Sequence, residues 1–303
     1  MTMTQKSGSI ARQHESAHDY LVCIDSDGCA FDTMGIKQRE CFCPWMISHF
    51  DLQPVAQAAR ECKEFADLFS DTRGANRHVT LKRILCELLP GHPLVKAREF
   101  SPPDLPHYFR WVENPSSLLS NEGLKRACEQ ASGDEMHELM CVLSWSEQVN
   151  WAVGEIVRGI PPFPFVRESL MSIAGRADIV VVSATPIEAL RREWEEHGIA
   201  EYTSRIWGQE AGTKREQIAA LRRQYDIDRI IMIGDAPGDL RAAKENGVSF
   251  YPITPGYETE AWQRFAELAS DRFFAMEYAG DYEQELTTAF MAALPDTPPW
   301  EVT

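Results

Sequence analysis

Short apolar runs separated by amphipathic stretches make up the second half of the chain. The runs have strand length and end in turn-forming residues, whereas the stretches between them have helical periodicity. A similar apolar run lies near the N-terminus. The predicted strands are residues 20–24, 178–182, 205–207, 229–233 and 248–251. This alternation predicts an α/β fold, a Rossmann-like doubly wound parallel sheet with helices on both faces.

A long segment after the first predicted strand has helical periodicity throughout. The predicted helices are residues 45–69, 79–89, 117–131 and 135–153, and a loop rich in proline and aromatic residues is predicted at 100–115. We therefore expect an all-helical cap domain, residues 34–160, inserted into an α/β core domain formed by residues 20–33 and 161–303. Residues 1–19 are expected to be a disordered tail, and the proline-rich end, residues 295–303, to be loose.

Composition and charge narrow the classes of partner. The chain has 303 residues, with 30 Lys plus Arg against 46 Asp plus Glu, which gives a formal net charge of −16. This charge disfavours nucleic acids and anionic membrane surfaces as partners. Because no apolar run approaches the length of a membrane span or a signal peptide, we expect a cytoplasmic protein. The sequence makes no prediction of the oligomeric state.

Polar side chains that could bind a metal ion or take part in catalysis follow several of the predicted strands. Ligands bind at the carboxyl ends of strands in open α/β sheets, so these side chains are expected to face one crevice. They are four carboxylates, two hydroxyls and one lysine: Asp25, Asp27, Asp235 and Asp239, Ser183 and Thr185, and Lys214. Carboxylates packed this closely need a divalent cation, and an all-oxygen ligand set favours Mg²⁺.

A magnesium ion beside Lys214 would create a site for a dianion such as a phosphoryl group. Ser183, Thr185 and the backbone amides of Gly28 and Ala184 are positioned in the sequence to donate hydrogen bonds to its oxygens. Thr185 has a second interpretation, as a cap of the helix that begins near residue 186. A carboxylate in such a site can attack phosphorus and form an aspartyl phosphate.

The ordered motifs resemble those of the haloacid dehalogenase-like (HAD) superfamily. They are Asp25-Ser-Asp27-Gly28, a hydroxyl at Ser183, Lys214 at the start of a helix, and Gly234-Asp235-Ala-Pro-Gly-Asp239. The similarity covers residues 20–33 and 163–252. The inserted helical segment resembles the cap of the phosphatase and β-phosphoglucomutase-like branch, and Gly74-Ala-Asn-Arg77 resembles the cap segment that places an arginine on the substrate.

The resemblance implies roles for the catalytic residues. Asp25 would be the nucleophile and a magnesium ligand. Asp27 would be the general acid and base, with its carbonyl also on the metal. Ser183 and Lys214 would hold the phosphate.

The remaining carboxylates and the cap arginine also receive roles from the resemblance. Asp235 would be a metal ligand, and Asp239 would support the metal site or orient Lys214. Arg77 would contact the substrate.

Two positions depart from the family pattern. Cys29 replaces the usual threonine, and Arg215 follows Lys214 where proline is common. Neither change removes a catalytic group. The presence of a carboxylate at position 27 favours phosphate-ester chemistry. The resemblance thus implies a Mg²⁺-dependent phosphohydrolase that acts on a small phosphorylated metabolite. A phosphomutase with the same core residues and a non-catalytic phosphometabolite-binding protein are the alternatives.

Overall fold

The structure, a computed structural model, describes residues 16–302 and divides them into two compact units. The sheet unit contains the described residues up to Asp32 together with Gly159–Phe290. The helical unit contains Thr33–Arg158 and the C-terminal segment that begins at Met291. No helix within residues 16–302 is both long and apolar enough to cross a membrane.

A five-stranded parallel sheet forms the centre of the sheet unit, in the order β3-β2-β1-β4-β5. The strands are β1 (Tyr20–Ile24), β2 (Ala177–Val182), β3 (Arg205–Trp207), β4 (Ile230–Gly234) and β5 (Ser249–Pro252). Every residue of β2 and β4 is buried, as expected for strands covered on both faces. The predicted α/β fold is therefore confirmed.

The register brings the carboxyl ends of the central strands together. Ile24, the last residue of β1, pairs with Val181 of β2 and Ile233 of β4. Residues that follow these three strands therefore emerge at the same edge of the sheet.

Helices connect the strands and cover the sheet with apolar side chains such as Trp194 and Trp262, both fully buried. The helices of this unit, with short 3₁₀ and π segments included, are Val166–Ile173, Ile187–Glu196, Ala200–Tyr202, Gln209–Ala211, Lys214–Leu221, Arg222–Gln224, Ile227–Arg229, Pro237–Asn246, Glu258–Arg264, Phe265–Ala269, Ser270–Phe274 and Asp281–Ala292.

Helices are the only regular elements within residues 33–158, all of which the structure describes. They are Thr33–Ile36, Lys37–Phe42, Cys43–His49, Gln53–Val55, Ala56–Leu68, Arg77–Arg83, Ile84–Leu88, Leu89–Gly91, Pro93–Ala97, Pro106–Glu113, Asn121–Gln130 and Gly133–Ile156. Trp145 of the longest helix is fully buried and packs against the rings of Phe42 and Phe50.

Two predictions for this segment were wrong in detail. The predicted helix over 45–69 is interrupted between His49 and Ala56, where Asp51 has a φ of 51°. The predicted loop at 100–115 contains the helix Pro106–Glu113, which proline can begin because the first helical amide needs no acceptor. Tyr108 stabilises this helix, since its ring is fully buried and its hydroxyl donates to the carbonyl of His78.

Residues 16–19, the described part of the predicted N-terminal tail, make specific contacts. Residues 1–15 of the predicted tail lie outside the described residues, but the amides of Ala17 and His18 donate to Asp178 at 3.0 and 3.1 Å. Asp178 also accepts from Tyr225 at 2.8 Å. The carboxylate thus holds the segment before β1 against the start of β2.

The C-terminal segment packs with the helical unit, whereas the sequence placed it in the core domain as a loose end. The ring of Trp300 lies 5.8 Å from that of Phe65 and 4.8 Å from that of His92, measured between centroids. Arg83 donates to the carbonyl of Asp296. These contacts contribute to the docking, and the composition of the segment does not predict them.

Replacement of Trp300 by alanine should destabilise the helical unit. Loss of the ring contacts with Phe65 and His92 should lower the free energy of unfolding by about 1–3 kcal/mol. Urea denaturation measures this change, with Val302→Ala, at a residue that is 70% exposed, as the control. Equal stability of the two variants would show that the C-terminal segment is not docked.

The Asp178 contacts predict a dependence of stability on pH. Burial favours the neutral acid, but hydrogen bonds from Tyr225 and the 17–18 segment outweigh it and lower the pKa of Asp178. A lowered folded-state pKa adds stability above the unfolded value of about 3.9, and this stability is lost as the pH falls through the folded-state pKa.

Asp178→Asn should therefore lower stability at pH 7 by about 1–3 kcal/mol. The difference from wild type should shrink as the pH falls below about 4. Urea denaturation across this pH range tests the prediction, with the exposed Asp228→Asn as the matched control. A deficit that is independent of pH would contradict the assigned role of the charge.

Candidate active site

A tight turn follows β1 and carries the first two carboxylates. The amide of Asp25 donates to the carbonyl of Ile233 at 3.0 Å, which extends the β1–β4 pairing by one residue. The carbonyl of Ser26 then accepts from the amides of Ala30 and Phe31, at 2.9 and 3.1 Å. These bonds fix the backbone on both sides of Asp27 at the carboxyl edge of the sheet.

Lys214 pairs with two carboxylates. Its Nζ lies 2.7 Å from Asp25 Oδ2 and 2.5 Å from Asp239 Oδ1. The lysine is the first residue of its helix, which a capping box between Thr213 and Glu216 initiates. Burial by itself would lower the pKa of Lys214, but the three neighbouring aspartates outweigh it and raise the pKa, so the side chain stays charged.

Asp239 is held so that it can orient the lysine. Its Oδ2 accepts from the backbone amides of Asp235 and Ala236 at 3.2 and 3.1 Å, while Oδ1 accepts from Lys214. The turn requires glycine at position 234, because a Cβ there would lie 2.4 Å from the Cβ of Asp239. The Gly234 turn therefore sets the distance between β4 and the side chain that holds Lys214.

Three buried aspartates form a carboxylate cluster: oxygen atoms of Asp25, Asp235 and Asp239 lie within 4.8 Å of one another. Burial raises the pKa of Asp25 well above its ordinary value, Lys214 opposes this shift, and Asp239 and Asp235 add to it. A single lysine therefore leaves the cluster with excess negative charge.

The cluster fits a magnesium ion. Its ligand atoms are all carboxylate oxygens, the donor type that Mg²⁺ prefers. Asp25 Oδ1 is buried and accepts no hydrogen bond from residues 16–302. A bound cation would satisfy this oxygen and offset the repulsion between the carboxylates.

The end of β2 supplies the two predicted hydroxyls, in different roles. Ser183 is buried, and its Oγ accepts from the amide of Thr185 at 3.2 Å. The hydroxyl of Thr185 donates to Asp27 Oδ2 at 2.8 Å. Ala184, between them, is exposed.

Gln217 is a buried residue of this region that the sequence did not single out. Its Nε2 lies 3.1 Å from the carbonyls of both Ser183 and Gly208, and 2.8 Å from that of Gly212. The side chain links the end of β2 to the loop that leads to Lys214. The sequence feature that could have identified Gln217 is its spacing, because a residue three positions after Lys214 lies on the same face of the helix.

Solved structures share this architecture. A proposed phosphoglycolate phosphatase from Lactobacillus delbrueckii subsp. bulgaricus matches with a TM-score of 0.50 and 14% identity, over 86% of this chain and 98% of that chain. A predicted phosphoglycolate phosphatase from Haemophilus somnus has 17% identity and a TM-score of 0.44, over 83% and 97% of the two chains. A haloacid dehalogenase-like hydrolase from Streptococcus pneumoniae has 12% identity and a TM-score of 0.40, over 80% and 90%.

The chain has the fold of the HAD-like hydrolases. This finding confirms the fold that the motif resemblance implied. Searches with family models and against curated proteins found no match.

Within this HAD fold, the backbone amide of Gly28 has a partner in its own turn. The amide of Gly28 was expected to bind the phosphoryl group, but it donates to the carbonyl of Phe31 at 2.8 Å. Gly28 has a φ of 78°, a conformation in which glycine avoids the strain of a Cβ. Its role in the structure is to allow the turn.

Arg77 of the helical unit has partners within that unit. Its Nη1 donates to Ser146 Oγ at 3.0 Å and Asn150 Oδ1 at 2.8 Å, and the guanidinium lies over the ring of Phe42. Burial lowers the pKa of Arg77 to about 10. These contacts give the side chain a structural role, and its contact with a substrate stays a prediction.

Gly234→Ala tests the close approach that positions Asp239. The added methyl would overlap Asp239, so we expect a loss of about 1–3 kcal/mol in stability and a weakened Lys214 pair. Thermal and urea denaturation measure the stability. Gly238→Ala is the matched control, because its Cβ would meet no atom within 4 Å. Equal effects of the two substitutions would contradict the described turn.

Proposed function

We propose that the chain is a Mg²⁺-dependent phosphohydrolase that acts on a small phosphorylated metabolite. The observation that carries this proposal is the position of Asp25, which belongs to the carboxylate cluster and pairs with Lys214 at 2.7 Å. Asp27 lies two residues further along the same turn. A nucleophile, a cation for the phosphoryl oxygens and a candidate proton donor thus share one edge of the sheet.

Asp25 and Asp235 would hold the metal ion, together with the carbonyl of Asp27. When bound, Mg²⁺ offsets the charge of the carboxylates and withdraws electrons from the phosphoryl group. Asp239 has a different task, because its two oxygens already accept from backbone amides and Lys214. It keeps the lysine directed at Asp25.

In the first half-reaction, a carboxylate oxygen of Asp25 attacks phosphorus. A bond forms between this oxygen and phosphorus, the ester bond between phosphorus and the alcohol oxygen breaks, and Asp27 gives its proton to that alcohol oxygen. Lys214, Ser183 and the amide of Ala184 hold the phosphoryl oxygens during the transfer.

In the second half-reaction, Asp27 accepts a proton from water. The water oxygen attacks phosphorus, and the bond between Asp25 and phosphorus breaks. Inorganic phosphate leaves, Asp25 returns as a carboxylate, and Asp27 again carries the proton needed for the next alcohol.

The substrate class and cellular location are part of the same proposal. The structure from L. delbrueckii that shares the fold is named as a proposed phosphoglycolate phosphatase, which supports a phosphorylated small molecule as the substrate. The acidic charge of the chain is consistent with a cytoplasmic enzyme that acts without a nucleic acid or membrane partner.

Asp25→Asn should abolish phosphate release while leaving the protein folded. The amide is nearly isosteric with the carboxylate but is a poor nucleophile, so we expect a loss of at least about 10³-fold. The assay measures inorganic phosphate released from a panel of phosphorylated metabolites and one aryl phosphate, with Mg²⁺ or with EDTA.

The exposed Asp228→Asn serves as the control and should keep wild-type activity. The proposal requires release that depends on Mg²⁺ and disappears in Asp25→Asn. Release by that variant at the wild-type rate, or no release by wild type from any compound, would overturn it.

A further inference from the structure

The contact between Thr185 and Asp27 joins residues that are 158 positions apart in the sequence. Thr185 Oγ1 lies 2.8 Å from Asp27 Oδ2. The hydroxyl donates and Oδ2 accepts, a bond that Asp27 can form both as a carboxylate and as an acid whose proton is on the other oxygen. The sequence interpretation had placed this hydroxyl on the phosphoryl group or on a helix end.

From this contact we infer that Thr185 is a positioning residue that sets the orientation of the Asp27 carboxylate. The inference rests on the proposed function, in which Asp27 moves the proton. Thr185 then acts in the step in which the alcohol leaves, and it is not a phosphate ligand.

The backbone of Thr185 is fixed on both sides. Its amide donates to Ser183 Oγ at 3.2 Å, and its carbonyl accepts from the amide of Gln209 at 3.0 Å. Pro186 follows and restricts Thr185 to extended backbone conformations. A β-branched side chain on a fixed backbone has few rotamers, so the direction of the hydroxyl is set before substrate binds.

Gly208 permits this arrangement by its lack of a side chain. A Cβ at this position would lie 2.6 Å from the carbonyl oxygen of Thr185. The segment after β3 can therefore approach the end of β2 closely enough for the amide of Gln209 to reach the carbonyl of Thr185.

The side chain of Asp27 is less buried than that of Asp25, so burial restricts its orientation less. Asp25 is 3% exposed and is fixed by Lys214, whereas Asp27 is half-buried. Its backbone is fixed by the turn around Ser26, but the orientation of a half-buried carboxylate depends on its side-chain contacts. The Thr185 hydroxyl supplies one such contact, and it comes from a residue whose backbone is fixed.

The chemistry gives this role a signature that a phosphate ligand would not have. Proton donation matters most when the leaving alcohol is weakly acidic, as in an alkyl phosphate, and much less when an aryloxide leaves. Loss of a phosphate ligand weakens both reactions alike, since both substrates carry the same phosphoryl group. Loss of the Asp27 orientation instead slows the alkyl substrate selectively.

The test compares kcat/KM for the preferred alkyl phosphate of the panel with that for p-nitrophenyl phosphate. This constant reports the steps through departure of the alcohol and excludes the later attack of water. Thr185→Val should lower kcat/KM about 10- to 100-fold for the alkyl substrate. The fold-loss for the aryl substrate should be smaller by a factor of at least about ten. Thr185→Ser, which keeps the hydroxyl, should retain most of the alkyl activity.

Thr203→Val is the matched control within the sheet unit. It removes a hydroxyl that donates to the carbonyl of Ala200 at 2.8 Å, and it should leave both constants unchanged. Urea denaturation of every variant confirms folding, and Thr185→Ala replaces Thr185→Val in the comparison if the latter does not fold.

A double-mutant cycle tests whether Thr185 acts through Asp27. In an Asp27→Asn background, Thr185→Val should lower the alkyl constant by no more than about twofold, because the proton donor is already absent. Equal losses for the alkyl and aryl substrates, or full additivity in the cycle, would overturn the inference while leaving the phosphohydrolase intact. Failure of wild type to release phosphate from either compound would instead overturn the proposed function.

Discussion

Repulsion among three buried aspartates is the constraint on which the arrangement of the site depends. Oxygen atoms of Asp25, Asp235 and Asp239 lie within 4.8 Å of one another, and Lys214 alone cannot neutralise them. This repulsion favours the binding of a cation. A bound cation and Lys214 would then attract a phosphoryl dianion. The glycine at position 234 permits the close approach of Asp239 to the strand end.

The parallel sheet brings these charges together from distant parts of the sequence. Because β2, β1 and β4 are neighbours, residues 25, 183 and 235 emerge side by side. Covering helices bury the strands and lower the local dielectric, which strengthens every charge interaction at that edge. The same topology places Thr185 against Asp27, so the fold orients the proposed proton donor as well as the nucleophile.

Residues with a strong local signal were predictable from the sequence, whereas those whose role depends on tertiary contacts were not. The strands and Lys214 at its helix start follow from apolar runs and capping residues, and the structure has them within one or two positions. The docking of Trp300 and the bonds of Gln217 involve distant partners that no local pattern encodes. The turn at Gly28 was predicted, but the partner of its amide was not, because the amide donates to a carbonyl three residues ahead and the motif does not specify that geometry.

The most direct test of the account is to trap the covalent intermediate. Wild-type protein is mixed with Mg²⁺ and its best substrate, quenched in acid within the first turnover, and treated with borohydride, which reduces an acyl phosphate to the alcohol. Peptide mass spectrometry should then find homoserine at position 25 and an unmodified Asp27. Reduction at any other carboxylate, or turnover without modification of residue 25 at any quench time, would contradict nucleophilic attack by Asp25.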